Sequence, residues 1–201
     1  MPYIVGLTGG IGTGKTTVSD LLARMGADVV DTDEVSRALT AAGGAAMTQI
    51  EERFGSGYVT PDGALDRPRM RKLVFSDERA RRNLEGILHP LVRRDSQHLI
   101  AKSTGPYVVV VVPLLLETRT YRGLAHRVLV VDCEPETQVA RVMRRSNLSR
   151  EEVLAIMATQ ISRAERLRNA DDVVNNDDGV EALEPQLAPL HQRYLRYAAQ
   201  G

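Results

Sequence analysis

The 201-residue chain has one cysteine, Cys133, so it can build neither an internal disulfide nor a cysteine-rich zinc site. It has no excess of either charge. Lys and Arg number 26, Asp and Glu also 26, which argues against nucleic-acid binding through an overall positive field. Its four histidines, His89, His98, His126 and His191, show no metal-ligand spacing. It also lacks a long hydrophobic run. Val108–Leu116 is broken by Pro113 and falls well short of the roughly 20 apolar residues of a membrane span, so no membrane partner is expected. The N-terminal stretch has no basic start and runs into glycines, unlike a signal peptide. With the single thiol, that fits a cytoplasmic setting. There is no internal repeat and no low-complexity tract. What is present is an ordinary globular composition, 43% hydrophobic and 26% charged, with enough chain for one domain or one domain with a sizeable insertion.

Short β-type runs recur at Tyr3–Leu7, Val29-Val30, Val108–Val112, Val128–Val131 and Val173-Val174. Helical patterns separate them. From Lys15 to about Met25, residues Val18, Leu21, Leu22 and Met25 share one face, and Gly26 closes the helix. The alternation predicts an α/β fold with a parallel sheet. Residues 33–105 are too many for one crossover and predict several helices beside the sheet. Leu183, Leu187, Leu190, Tyr194 and Tyr197 lie at helical spacing and predict a docking helix, although Pro185 and Pro189 blur its start. Residues 66–94 carry nine Lys/Arg against four Asp/Glu, and residues 137–168 carry seven Arg against three Glu. In a neutral chain such segments are either local anion sites or solvated helix faces.

The segment Gly9-Gly10-Ile11-Gly12-Thr13-Gly14-Lys15-Thr16 satisfies the phosphate-loop pattern in full, between an apolar strand and a helix. Glycines let the loop turn its N–H groups inward around phosphate oxygens, and the helix adds its positive end. Lys15 can reach the β- and γ-phosphates, and Thr16 offers a hydroxyl to Mg2+. The dinucleotide pattern G-x-G-x-x-G fails here. So does the GTP-specific Asn-Lys-x-Asp, which is absent. The third strand ends in Pro113-Leu114-Leu115-Leu116-Glu117 rather than in Asp, so a carboxylate must come from elsewhere. Asp31-Thr32-Asp33 follows the second strand, at the edge where open parallel sheets bind ligands. Asp33 can take a proton from a substrate hydroxyl or help to hold Mg2+ through water. Asp31 can do the latter or cap the next helix. Cys133 has no cationic neighbour in sequence and is expected to be inert.

These elements, with His89-Pro90 and Ala170-Asp171-Asp172-Val173-Val174-Asn175-Asn176, resemble bacterial dephospho-coenzyme A kinases from Tyr3 to about Tyr197. The loop alone is widespread; the combination is specific. The resemblance implies an α/β P-loop NTPase fold of the nucleoside-monophosphate-kinase type. Its five-stranded parallel sheet, flanked by helices, would carry a helical acceptor-binding part and a lid. The core would be about 1–33, 106–136 and 169–201, the acceptor part about 34–105 and the lid about 137–168. It implies transfer from ATP, with Mg2+, to the ribose 3′-hydroxyl of dephospho-coenzyme A.

By the same resemblance, Gly10, Gly12, Thr13, Gly14, Lys15, Thr16 and Thr17 hold ATP with Arg141 and Asn176. Asp33 is the base, and Arg145 clamps the transferring phosphoryl beside Lys15. Asp31, Phe54, Tyr58, Arg67, His89 and Leu115 face the acceptor, with core packing the alternative for Phe54 and Tyr58. His89 can instead end a helix ahead of Pro90. Thr32 stands where many members carry alanine, and residues 163–169 depart from the commoner pattern, which leaves the role of Arg163 open. The expected partners are ATP and dephospho-coenzyme A, in a monomer or weak homo-oligomer. The rivals are a kinase of the same fold acting on a nucleoside, nucleotide or sugar acid, and an ATP-gated binding module without catalysis.

Overall fold

The computed structural model describes residues 2–118, 121 and 123–200. Strands β1 (Ile4–Gly9), β2 (Asp28–Asp31), β3 (Val108–Val111), β4 (Arg127–Asp132) and β5 (Asp172–Asn175) form one parallel sheet in the order β2-β3-β1-β4-β5. β1 is central. Its Leu7 stands beside Val111 on one side and Leu129 on the other. The apolar runs of β1, β3 and β4 are buried almost throughout, as strands with helices on both faces must be. β1 extends two residues beyond the predicted Leu7, because Thr8 and Gly9 still pair with Val130 and Val131 of β4.

The helices are α1 (Lys15–Arg24), α2 (Thr32–Leu39), α3 (Met47–Phe54), α4 (Arg67–Ser76), α5 (Glu78–Lys102), α6 (Leu115–Thr118), α7 (Pro135–Ser146), α8 (Arg150–Ala158), α9 (Arg163–Arg168) and α10 (Leu183–Ala198). The chain divides into two compact units. One runs from the N-terminus to Val30 and resumes at Ala101; the other is Asp31–Ile100.

The first unit contains the sheet's main core. Val5, Leu7, Val109, Val111, Leu129 and Val174 from the strands pack with Val18 and Leu22 of α1 and Leu183, Leu187 and Tyr194 of α10. Each such side chain, fully buried, contributes about 1.5–3 kcal/mol of transfer free energy. α10 is thus the docking helix that the spacing predicts. Pro185 falls in its first turn, where a missing N–H costs little, and Pro189 is tolerated inside it. A smaller apolar cluster, Val139, Val142 and Val153, joins α7 to α8, with Ile11, Leu148 and Met157 against it.

The buried Asp172, 6% exposed, ties the sheet to α10. It accepts from Arg127 Nε at 2.8 Å, Arg193 Nη1 at 2.8 Å and Tyr194 Oη at 3.0 Å. With several donors on one carboxylate, its charge is compensated in place.

The second unit is helical, with Leu39, Met47, Ile50, Leu65 and Met70 buried. Within it, Asp62-Gly63-Ala64 forms a tight turn, closed by Gly63 N–H to Thr60 O at 2.8 Å and bracketed by a Val59–Leu65 bridge. Asp66 then caps α4 by accepting from Arg69 N at 3.0 Å. The alternative reading of His89, as the end of a helix, does not hold: α5 runs unbroken through Pro90. Pro90 removes the amide that would reach the carbonyl of Gly86, and both residues are exposed, so water can satisfy that carbonyl. No described helix is long and apolar enough to cross a membrane.

Replacing Asp172 with Ala should lower stability by about 3 kcal/mol, because Arg127 then loses its carboxylate while three-quarters buried. Urea unfolding measures this; a loss below about 1 kcal/mol would reduce the cluster to a surface-type pair.

Candidate active site

The loop between β1 and α1 is held in shape by residues far away in sequence. Gly14 forms the N-cap of α1 at φ 93°, the left-handed region that glycine enters without strain. Space also demands glycine there, since a Cβ would stand 2.3 Å from Asn176 Nδ2. That amide, buried just beyond β5, donates to Thr13 O at 2.8 Å. The Thr13 hydroxyl turns inward to Gly10 O at 3.0 Å. On the other side, Gln138 of α7 donates to Ile11 O at 2.8 Å, and Gln160, between α8 and α9, accepts from Ile11 N at 3.1 Å. One loop residue is therefore gripped by both its N–H and its carbonyl.

No side chain caps α1. The amides of its first turn have no acceptor within the helix and point toward the loop, together with the helix's positive end. Lys15 folds back over the loop, Nζ donating to Gly9 O at 2.8 Å and Gly10 O at 3.1 Å. The result is a set of N–H groups with an ammonium held beside them, a phosphate cradle. Thr16 lies exposed on the first turn of α1, with Thr17 half-buried next to it. A hydroxyl at Thr16 is a hard oxygen ligand suited to Mg2+. Among the described residues no cluster of carboxylates, histidines or cysteines could hold an ion by itself. The donor set thus fits an ion that arrives on the nucleotide's phosphates.

The arginines of 137–168 fall into distinct environments. Arg163 is committed. It donates to both oxygens of Asp132, at 2.7–3.0 Å, and to Glu134 at 2.8 Å, which holds its guanidinium firmly charged. Asp132 closes β4, so a carboxylate at the end of an apolar strand was the signal available for this pair. Arg141, on α7, is half-buried, and one of its nitrogens is sealed from solvent without a hydrogen-bond partner. Arg145 lies exposed in the last turn of α7. Asp177 fixes the start of α7, accepting from Glu134 N at 2.9 Å and Thr137 Oγ1 at 2.9 Å; these bonds hold its carboxyl below the usual range. Burial pushes the Cys133 thiol up to about 11, in keeping with an inert thiol.

In the second unit, Asp31 is the N-cap of α2. Its Oδ1 accepts from Asp33 N at 2.8 Å and Glu34 N at 3.4 Å. This places the Asp33 carboxyl on the exposed first turn of α2, just past the end of β2. Phe54 and Tyr58 meet edge to face at 6.1 Å, and Arg69 lies over the Tyr58 ring at 5.3 Å. Arg67 donates to Thr40 Oγ1. His89 is exposed on α5. Leu115 is a correction. It is 0% exposed and packs under Gly6 of β1, so it is a core residue rather than an acceptor contact. Gln138, Gln160 and Arg166 were not legible as site residues, since polar residues on a helical face give no sequence sign of what they meet.

A parallel sheet in this order, with a phosphate loop on its central strand, defines a P-loop kinase. The dephospho-CoA kinase family model matches residues 3–182. The dephospho-CoA kinase of Burkholderia lata is 53% identical over 198 residues, covering 98% of each chain. That of Nitrosospira multiformis is 49% identical over 195 residues, covering 97% of this chain and 98% of its own. The chain belongs to the dephospho-CoA kinase family. A Thermus thermophilus crystal structure is 36% identical at a TM-score of 0.82, covering 96% of this chain and 97% of its own. The shikimate kinase of Acinetobacter baumannii, solved with shikimate, shares the fold alone, at 19% identity and a TM-score of 0.54, covering 100% of this chain and 94% of its own.

Lys15→Ala should weaken MgATP binding and lower kcat together, with kcat/KM down at least about a hundredfold. Wild-type kinetics in that variant would remove the loop from catalysis.

Proposed function

We propose that this chain transfers the γ-phosphoryl group of ATP to the ribose 3′-hydroxyl of dephospho-coenzyme A, releasing coenzyme A and ADP, the last step of coenzyme A synthesis. The observation that carries this reading is the phosphate loop set in a chain about half identical, end to end, to dephospho-CoA kinases.

Phosphoryl transfer asks a protein mainly for positioning and charge stabilisation. The loop amides and the first turn of α1 bind the triphosphate, and Lys15 leaves the Gly9 and Gly10 carbonyls for the phosphates. Mg2+, brought with ATP and held by the Thr16 hydroxyl, would neutralise charge on the β- and γ-oxygens. Asn176 and Arg141 serve the nucleotide end, Asn176 by fixing the loop at Thr13 O and Arg141 through its unpartnered buried nitrogen. Asp33 orients and deprotonates the attacking hydroxyl, and Asp31 holds α2 so that Asp33 leads its first turn.

Residues 34–105 receive the acceptor. Phe54 and Tyr58 offer aromatic surface, and Arg67 and His89 offer polar contacts. Residues 137–168 act as the lid, whose closure brings Arg145 to the transferring group and keeps water from it. The enzyme works in the cytoplasm as a monomer or weak homo-oligomer. The fold shared with shikimate kinases makes another small-molecule acceptor the alternative to test.

ADP release from MgATP should be stimulated by dephospho-coenzyme A and not by AMP, CMP, adenosine or shikimate. Stimulation by one of the others would keep the kinase and move the substrate. Asp33→Asn should lower kcat by at least about a hundredfold with ATP KM changed little; near-normal turnover would remove Asp33 as the base.

A further inference from the structure

The end of β5 is tied down on the side away from the phosphate loop as well as toward it. β5 is the outermost strand of the sheet, beyond β4. Asn176 N turns inward and donates to Asp132 O at 2.9 Å. By the alternation of a parallel ladder, the N–H and carbonyl of Asn175 therefore face the open edge, where a further strand would pair with them. Among the described residues no strand lies there. The Gln186 carboxamide of α10 takes its place. Its Oε1 accepts from Asn175 N at 2.9 Å, and its Nε2 donates to Asn175 O at 2.8 Å. Nε2 also donates to Ala182 O at 2.8 Å, so both of its hydrogens are used.

Gln186 is half-buried in α10 between Leu183 and Leu187, which are fully buried in the main core. Core packing therefore presents its amide to the strand. Asn175 passes the constraint on. Its side chain closes on Asp177, Oδ1 accepting from Asp177 N at 2.9 Å and Nδ2 donating to Asp177 Oδ2 at 2.8 Å. Asn176 is thus enclosed between two fixed neighbours. Its own buried amide meets Thr13 O at 2.8 Å, and occupies the space that a Cβ on Gly14 would need. A side chain that must reach one carbonyl across a bare glycine tolerates little shift of its backbone.

We infer that Gln186 is a positioning residue for nucleotide binding: by pairing the open edge of β5 at Asn175, it holds the neighbouring Asn176 on Thr13 O and so keeps the phosphate loop in its binding shape. Gln186 touches no substrate in this role; it acts through Asn176. A loop shaped beforehand improves affinity for phosphates that ATP and ADP share. The transfer step itself, which depends on groups at the reacting atoms, is left alone.

Gln186 has this role only if the kinase reading holds, and the two are tested apart. Calorimetric ADP binding by the wild-type enzyme tests the nucleotide site; Gln186 variants test the residue. Gln186→Met keeps the length of the side chain and removes its hydrogen bonds. It should weaken ADP binding by about fivefold or more and raise the ATP KM in step, with kcat and the dephospho-coenzyme A KM within about twofold of wild type. In an Asn176→Ala background the same substitution should cost less than about twofold, because the route to the loop is already cut. A purely structural role would lower thermal stability without that split between KM and kcat. If Gln186→Met does not fold, Gln186→Glu decides the matter. Its carboxylate still accepts from Asn175 N but sets an oxygen against Asn175 O, and should also weaken ADP by about fivefold or more. Wild-type ADP affinity in either folded variant, or a loss that adds in full to that of Asn176→Ala, would overturn the assignment. Absence of ADP binding by the wild-type enzyme would overturn the nucleotide site itself, and the role of Gln186 with it.

Discussion

The site depends on one constraint: the turn from β1 into α1 must hold its amides inward before any phosphate arrives. Glycine permits that turn but does not fix it. The fixing comes from three amide side chains, Asn176 on Thr13 O, Gln138 on Ile11 O and Gln160 on Ile11 N. They arrive from the end of β5, from α7 and from the α8–α9 connection. Their reach follows from the sheet order, which sets β4 beside β1 and β5 beside β4. A loop ordered by its own fold spends less of its binding energy on ordering when ATP enters.

The same unit sorts its charged groups by whether they have a partner. Asp172 and Asp132 are buried carboxylates saturated by donors, and they fasten α10 and α9 to the ends of the sheet. Arg127 and Arg163 are used up in doing so. Half-buried Arg141 and buried Arg166 form no ion pair among the described residues, although Glu117 and Asp132 lie near enough to act on Arg166. A buried cation kept without a counter-ion costs stability, and a polyphosphate ligand is the natural complement.

The sheet was legible because its strands are short valine-rich runs between turn residues, and the phosphate loop because its residue spacing is tied to one geometry. Asp31 was legible as a helix cap by residue type. Helix continuity through Pro90 was not, because the local rule against α conformation before proline gave way to the packing of a long helix. Leu115 was misplaced because a motif names neighbours in sequence, while burial under Gly6 is a property of the packed sheet. The two glutamines and Arg166 were invisible for the same reason: they lie about 130–155 residues from the loop they touch, and nothing local marks them.

The most direct test of a loop held ready by distant side chains is calorimetric ADP binding to Asn176→Ala. The account predicts about a tenfold loss of affinity with the fold retained, since Thr13 O is left without its donor and the loop is freed at one end. Wild-type affinity in that variant would contradict it.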